Sequence, residues 1–525
     1  MTIYDRTLAR FSRRELLKIA GMLGAAAIAP PILTRRALAR PIFDAYPFSL
    51  GVASGDPLPD GVVLWTRLAP KPLEGGGMPM ANVDVDWEIA RDPRFTSIAQ
   101  KGTAIARPEL GHSVHVEVAG LEPAREYWYR FRAGDEISRI GRTRTAPAAG
   151  AAVDRLRFAV CGCNHYEIGY FTAFRRIAEE QFDFVFHTGD YIYEGRADGG
   201  RGDRVRQHNG QEPYTLVDYR NRYALYKSDR DLMAAHASAP FILTWDDHEV
   251  DNNYAGDFDE NGTPPEIFAL RRAAAYQAYY ETMPLRAGAL PSGSHMRIYR
   301  RLQFGNLIDL NILDTRQWRS DQACGDGVHS DCNEALDSGR TMMGAEQEKW
   351  LFDNLATAKA RWTVIGQQVP TYARDMAKTN PDGRFSMDKW DGYVAARHRL
   401  YARLQETKAP NPVVLSGDVH MHYGADLKLD FTSPRSATVG VEFTNSSVTS
   451  IGDGFDVAPG WDAIKGDNAH IKYHSARRGY IACTATAATM RADFKILDRV
   501  TVPDLPAHVG GSLVVQAGRP GSYTD

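Results

Sequence analysis

Four short stretches place ligand-type side chains at the ends of apolar runs. They are Cys161-Gly162-Cys163-Asn164, His187-Thr188-Gly189-Asp190-Tyr191-Ile192-Tyr193, Asp246-Asp247-His248-Glu249 and Ser416-Gly417-Asp418-Val419-His420. One carboxylate after an apolar run commonly caps the next helix or turn. Here Asp190, Tyr193, Asp247, His248, Asp418 and His420 come from three such ends, and Cys163 comes from a fourth. Together they form a mixed hard and borderline donor set suited to iron, zinc or calcium. Cys161 competes with Cys163 but falls on the apolar run as a small core residue, whereas Cys163 falls in the loop.

Such side chains converge only if the runs are neighbouring strands. The run 156–160 precedes the first stretch, and a helical pattern follows over 170–180 with Phe171, Phe174, Ile177 and Ala178 on one face. The run 182–186 then leads into the second stretch. Strand, helix and strand predict a βαβ unit. Open sheets of this kind bind ligands at the C-terminal ends of their strands. The runs 241–245, 308–313 and 413–415 repeat the pattern, and the middle one ends in Asp314-Thr315-Arg316.

A β region comes first. Val83, Val85, Trp87 and Ile89 alternate with polar residues, as do Val114, Val116 and Val118, and then Tyr127, Tyr129 and Phe131. Period two without helical interruption predicts a β-sandwich of ~100 residues. Gly120-Leu121-Glu122-Pro123 with Tyr127-Trp128-Tyr129 resembles the Leu…Tyr corner of fibronectin type III domains. The chain therefore reads as α/β, with a sandwich over 40–149 and the chemistry in 150–525. Pro147-Ala148-Ala149-Gly150 serves as a linker.

The 525 residues suffice for two or three domains, and 43% hydrophobic with 24% charged residues is ordinary globular composition. Lys+Arg number 62 against 65 Asp+Glu, so no basic field exists for specific nucleic-acid binding. Five cysteines cannot build a disulfide framework, although Cys324 and Cys332 in a polar Gly/Asp loop could pair or stay free. Residues 1–39 read as an export signal. Ser12-Arg13-Arg14-Glu15-Leu16-Leu17-Lys18 resembles a twin-arginine motif, the mild apolar run 19–33 is too short to span a bilayer, and Ala37-Leu38-Ala39 is a cleavage site. The expectation is export by the twin-arginine (Tat) machinery to the periplasm or beyond, without stable membrane insertion.

Gly189-Asp190-Tyr191-Ile192-Tyr193 resembles the G-D-x-x-Y motif of calcineurin-like metallophosphoesterases that carry a tyrosine ligand. The segments 244–253, Leu313-Asp314-Thr315-Arg316-Gln317 and Ser416-Gly417-Asp418-Val419-His420, with the leading β-sandwich, are similar to the PhoD-type alkaline phosphatases. That resemblance spans essentially all of the chain after 39. It implies two packed sheets flanked by helices, and an exported phosphoesterase that cleaves phosphomonoesters, phosphodiesters or both with a metal-bound hydroxide. It also implies one ferric ion with calcium. Asp190 would bridge the metals, Tyr193 and Cys163 would bind iron as phenolate and thiolate, and His420 would complete that shell. Asp247 and Asp418 would suit calcium. His248 would act on the transition state without binding metal, and Arg316 would either offset phosphoryl charge or form a surface or interdomain salt bridge.

The sequence departs from the wider superfamily at Val364-Ile365-Gly366-Gln367-Gln368, where amides stand in place of a metal-binding histidine. Fewer nitrogen ligands argue against a zinc pair. Trp390-Asp391-Gly392-Tyr393 could wall a substrate cleft or be a packed turn. Two alternatives remain at this point. One is a phospholipase D-like or wall-polymer phosphodiesterase, and the other is a non-enzymatic binding protein with a structural metal site.

Overall fold

The computed structural model describes residues 41–197, 204–377, 383–433 and 435–525. The signal expected over 1–39 lies outside these residues.

The apolar runs form strands because their β-branched and aromatic side chains suit a pleated surface buried on both faces. Arg155–Cys161, Phe184–His187 and Phe241–Leu243 pair in parallel. Parallel neighbours need crossovers. Helix Thr172–Glu179 makes the first, and helices Leu216–Lys227 and Arg230–Ser238 lie on the second. Local chemistry starts these helices. Thr215 and Asp218 form a reciprocal capping box, and Asp229 accepts the amides of Asp231 and Leu232 at 2.8 and 3.1 Å.

A second sheet begins with Arg300–Phe304 antiparallel to Ile308–Ile312. From there Ile308–Ile312, Trp362–Gly366, Val413–Ser416 and Thr438–Thr444 run parallel in turn. The strand Ile471–Thr486 belongs to both sheets. Its first residues pair with His422–Lys428, and its last pair with Arg155–Cys161.

The two sheets face each other. Phe158, Val160, Phe184 and Phe186 of one share a buried cluster with Leu310, Ile312, Val364, Leu415 and Phe443 of the other. Each such side chain contributes about 1.5–3 kcal/mol on burial. Phe174, Ile177, Tyr219, Tyr223 and Leu232 cover the outer face of the first sheet, and Leu351, Leu355, Leu400 and Leu404 that of the second. The described residues thus form a mixed α/β structure with seven α-helices. No helix among them is long and apolar enough to cross a membrane.

The N-terminal region is a two-sheet sandwich whose core includes Val62, Leu64, Val85, Ile89, Val116, Tyr127 and Phe131. One sheet is Val83–Ala90, Ile98–Ala106, Glu126–Ala133, Glu136–Ile137 and Gly141–Arg144. The other is not self-contained. Val52–Leu58, Gly61–Arg67 and Ser113–Ala119 pair among themselves, and Gly55 continues the ladder onto Phe241. The chain boundary near 150 therefore divides segments that share a sheet.

Candidate metal centre

Each of the four stretches emerges from the C-terminal end of a parallel strand, so the sheet edges carry them to one place. Backbone bonds lock the loops together. The Cys163 and Asn164 amides donate to the Gly189 and Asp190 carbonyls, both at 3.0 Å, and Val448 donates to Gly162 at 2.9 Å. Gly189 has a φ of 110°, and a Cβ there would collide with the backbone of Asp246. The contact between the second and third loops thus requires glycine. Cys163, Asp190, Asp418 and His420 hold φ values of 56°, 54°, 65° and 55°. Left-handed backbone at a non-glycine residue costs about 1–3 kcal/mol and persists only where the surroundings over-determine it.

The first half of the centre gathers Cys163, Asp190, Tyr193 and His420. A Cys163 sulfur, an Asp190 carboxylate oxygen and a His420 ring nitrogen lie within 4.8 Å of one another. Tyr193 Oη donates to Asp190 Oδ2 at 2.8 Å and lies 3.0 Å from His420 Nε2. Ser450 Oγ sits 2.6 Å from Tyr193 Oη and donates to the Cys163 carbonyl at 2.8 Å. Burial, reinforced by the Asp190 charge, pushes the Cys163 thiol and the Tyr193 phenol well above their ordinary pKa values. Only a cation at bonding distance would hold thiolate and phenolate here.

The second half is carboxylate-rich. Asp190, Asp247 and His248 form one compact group, and Asp246, Asp247 and Asp418 form another. Arg316 lies beneath them with a side-chain exposure of 0%. Its Nε pairs with Asp246, its Nη1 lies 2.8 Å from Asp388, and its Nη2 lies 3.2 Å from Asp418 and 3.4 Å from Asp247. A guanidinium enclosed in this way is engaged by carboxylates inside the fold, so it is neither a surface nor an interdomain bridge. Arg319 also pairs with Asp388, and Lys389 bridges Asp388 and Asp418.

Asp190 Oδ1 and Asp246 Oδ2 are buried without a hydrogen-bond partner among the described residues, and Asp247 Oδ1 has only the Arg316 ion pair at 3.4 Å. Such oxygens are costly unless something positive meets them. With sulfur, phenol and imidazole donors beside them, the residues present fit a bound metal group. Cys161 lies on its strand in the apolar core, apart from this set. Gln368 is buried and bonds Thr244, Thr315 and the Trp245 and Leu313 carbonyls, so it is occupied structurally.

His248 stands at the rim, with 18% of its side chain exposed. Its Nδ1 donates to Glu194 Oε2 at 2.7 Å, and Glu194 Oε1 accepts the Asn252 amide at 2.9 Å. That fixes the ring and leaves Nε2 without a hydrogen bond among the described residues. Burial opposes protonation of His248, but Glu194, Asp247 and Asp190 outweigh it and raise its pKa well above the ordinary value. Sequence reasoning missed Glu194, whose only local signal is its place beside Tyr193. It also missed Glu249, which accepts the Asp190 and Asp246 amides at 3.0 and 2.7 Å and so ties two ligand loops together. Asp388 and Lys389 carried no motif at all.

Elsewhere the open alternatives resolve simply. Cys324 and Cys332 form a disulfide. Trp390 is fully buried and donates to Gln367 at 3.1 Å, so it packs inward, while Asp391 of the same segment lines a small cavity.

The arrangement matches known proteins along nearly the whole chain. A PhoD-like phosphatase model covers residues 158–494, and the N-terminal domain model of the same family covers 35–147. The chain belongs to the PhoD-like phosphatases. Alkaline phosphatase D of Bacillus subtilis (strain 168) is 47% identical over 517 residues, covering 97% of this chain and 88% of that protein. A solved structure of PhoD superposes with a TM-score of 0.91 at 48% identity, covering 92% of this chain and 93% of that one. As a member of this metal-dependent phosphatase family, the protein is a phosphoric ester hydrolase. The strained loops and unbonded carboxylate oxygens lie in the segment that the phosphatase model covers.

Proposed function

We propose that the protein is an exported alkaline phosphatase or phosphodiesterase whose centre holds one ferric ion with calcium. The single observation that carries this reading is the convergence of Cys163, Asp190, Tyr193 and His420 beside Asp246, Asp247 and Asp418. Thiol, phenol and imidazole suit ferric iron, and the carboxylate half suits calcium. When bound, the ions would supply Lewis acidity toward water and toward the phosphoryl oxygens.

The chain's own residues do the remaining work. Glu194 holds the His248 Nδ1–H and its charge favours the imidazolium, whose Nε2–H would protonate the departing ester oxygen. Arg316 holds Asp246, Asp247 and Asp418 in register and offsets their mutual repulsion, and Asp388 anchors its guanidinium. No serine or cysteine nucleophile is needed. The fibronectin-like reading of the sandwich draws support from Tyr127, whose hydroxyl accepts the Glu122 amide at 2.9 Å as a tyrosine corner does. Export through the twin-arginine machinery to the periplasm or medium is supported by Arg13-Arg14 and Ala37-Leu38-Ala39.

Protein recovered from its own host should contain iron and calcium and release product from both p-nitrophenyl phosphate and bis(p-nitrophenyl) phosphate. Their relative kcat/KM separates monoester from diester use, including the phospholipase D-like and wall-polymer readings. Active protein that holds zinc and no iron would overturn the metal assignment. N-terminal sequencing should begin at Arg40, and changing both arginines of the pair to Lys should retain the precursor in the cytoplasm.

A further inference from the structure

Cys324 and Cys332 close a loop of strained backbone. Cys324, Gly325, Asp326 and Gly327 follow one another with φ values of 54°, 74°, 67° and 82°. At the two non-glycine residues this conformation costs about 1–3 kcal/mol each and persists only where the surroundings hold it. The disulfide is one such constraint, and the Cys324 amide adds another by donating to Glu334 Oε2 at 2.8 Å.

The strained run reaches the carboxylate half of the centre by two routes. Asp326 Oδ2 accepts the Asn253 side-chain amide at 2.7 Å, and the Asn253 backbone amide donates to Asp247 Oδ2 at 2.7 Å. Asn253 is itself left-handed, with a φ of 51°, so its position also depends on what holds it. The second route is backbone alone. The Gly327 carbonyl accepts the Met387 amide at 2.9 Å, and Val328–His329 pairs with Phe385–Ser386. Asp388 and Lys389 follow directly, and they pair with Arg316 and Asp418. One disulfide-closed loop thus braces the supports of Asp247 and of Asp418. A carboxylate whose orientation is fixed by such partners binds a cation more tightly than one left to rotate, and losing a partner of this kind typically weakens binding by about 10–100-fold.

We propose that Asp326 is a positioning residue for the carboxylate half. Held by the Cys324–Cys332 loop, it orients Asp247 through Asn253, so that an exposed loop sets how tightly this half binds calcium. The proposal rests on the calcium reading of the carboxylate half.

Equilibrium dialysis of the full-chain, iron-containing protein against graded free calcium tests it, with Asp247→Asn marking the calcium bound at the centre. Asp326→Ala should raise the calcium Kd roughly tenfold while iron content stays at the wild-type level. Asp326→Asn keeps an oxygen for the Asn253 amide and should restore most of the affinity. Cys324→Ser with Cys332→Ser opens the loop but keeps Asp326, and it should raise the Kd by a smaller factor. A purely structural role would lower the unfolding temperature of these variants and leave their calcium Kd unchanged, which would overturn the proposal. Asp326→Asn binding as weakly as Asp326→Ala would also overturn it, since charge and not orientation would then be acting. Where Asp326→Ala fails to fold, the double serine variant decides by the same Kd. Wild-type protein without calcium that Asp247→Asn removes would sink the calcium reading and the proposal together. Wild-type binding with unchanged variants would leave that reading intact and remove the proposal alone.

Discussion

The two halves of the metal centre solve opposite electrostatic problems. Around Cys163, Asp190, Tyr193 and His420, the acidic or ionisable donors have hydrogen-bonding neighbours such as Ser450, and no lysine or arginine makes an ion pair with Asp190 among the described residues. Around Asp246, Asp247, Asp388 and Asp418, the chain brings its own cations, Arg316, Arg319 and Lys389. The first half gains its full negative charge only when thiol and phenol ionise, so it calls for a highly charged ion. The second half is largely neutralised internally, which suits a hard ion bound through few remaining oxygens. Charge balance, and not donor type alone, separates the two.

Removing Asp190 should do the most damage, because it touches the first half and groups with Asp247 and His248 in the second. Asp190→Asn is expected to deplete both metals and abolish turnover, as followed by metal analysis beside kinetics. Loss of only one metal would show that the halves load independently.

Arg316→Met leaves four buried carboxylates without their shared cation. Breaking a buried charge network from one side costs ~3–5 kcal/mol. Thermal unfolding should therefore collapse, or soluble protein should disappear. A stable Arg316→Met protein with only a raised KM would instead place Arg316 on the phosphate.

His248→Ala probes the rim. Metal content should stay near normal while kcat falls by ~10²–10⁴. An emptied site would make His248 a ligand. Glu194→Gln should lower kcat less than His248→Ala does, since the ring keeps its hydrogen bond but loses the charge that favours its protonated form.

Colour isolates the first half. Ferric phenolate absorbs visible light, so iron-loaded protein should be coloured and Tyr193→Phe should lose most of the band. Asp418→Asn should leave it in place. A band that survives Tyr193→Phe would move the phenolate assignment elsewhere.

The smallest effect belongs to the sandwich. Tyr127→Phe removes one hydrogen bond to the Glu122 amide and should cost ~1 kcal/mol with kinetics unchanged.

Much of this was legible beforehand because coordination chemistry is carried by residue type, and sheet position by local period. Apolar runs ending in Gly189-Asp190 and Gly417-Asp418 announced the strands and the candidate ligands that follow them, and Phe174 with Ile177 announced the first helix. The split at Pro147–Gly150 was visible as a change of period, but not the pairing of Gly55 with Phe241 that carries one sheet across it. Strand pairing between distant segments leaves no trace in either segment's own periodicity.

The sequence by itself thus determined a candidate donor set, the strand ends that present it and the βαβ order that brings those ends to one edge. These follow from side-chain chemistry and periods of two and 3.6 residues, which act over a few positions. Only the tertiary structure decided what each charge faces. Arg316 meets Asp388 across 72 positions, and His248 meets Glu194 across 54. An arginine in a loop can face solvent, phosphate or a buried acid with the same local sequence. The choice depends on the free energy of removing it from water, and that is set by the atoms folding places around it.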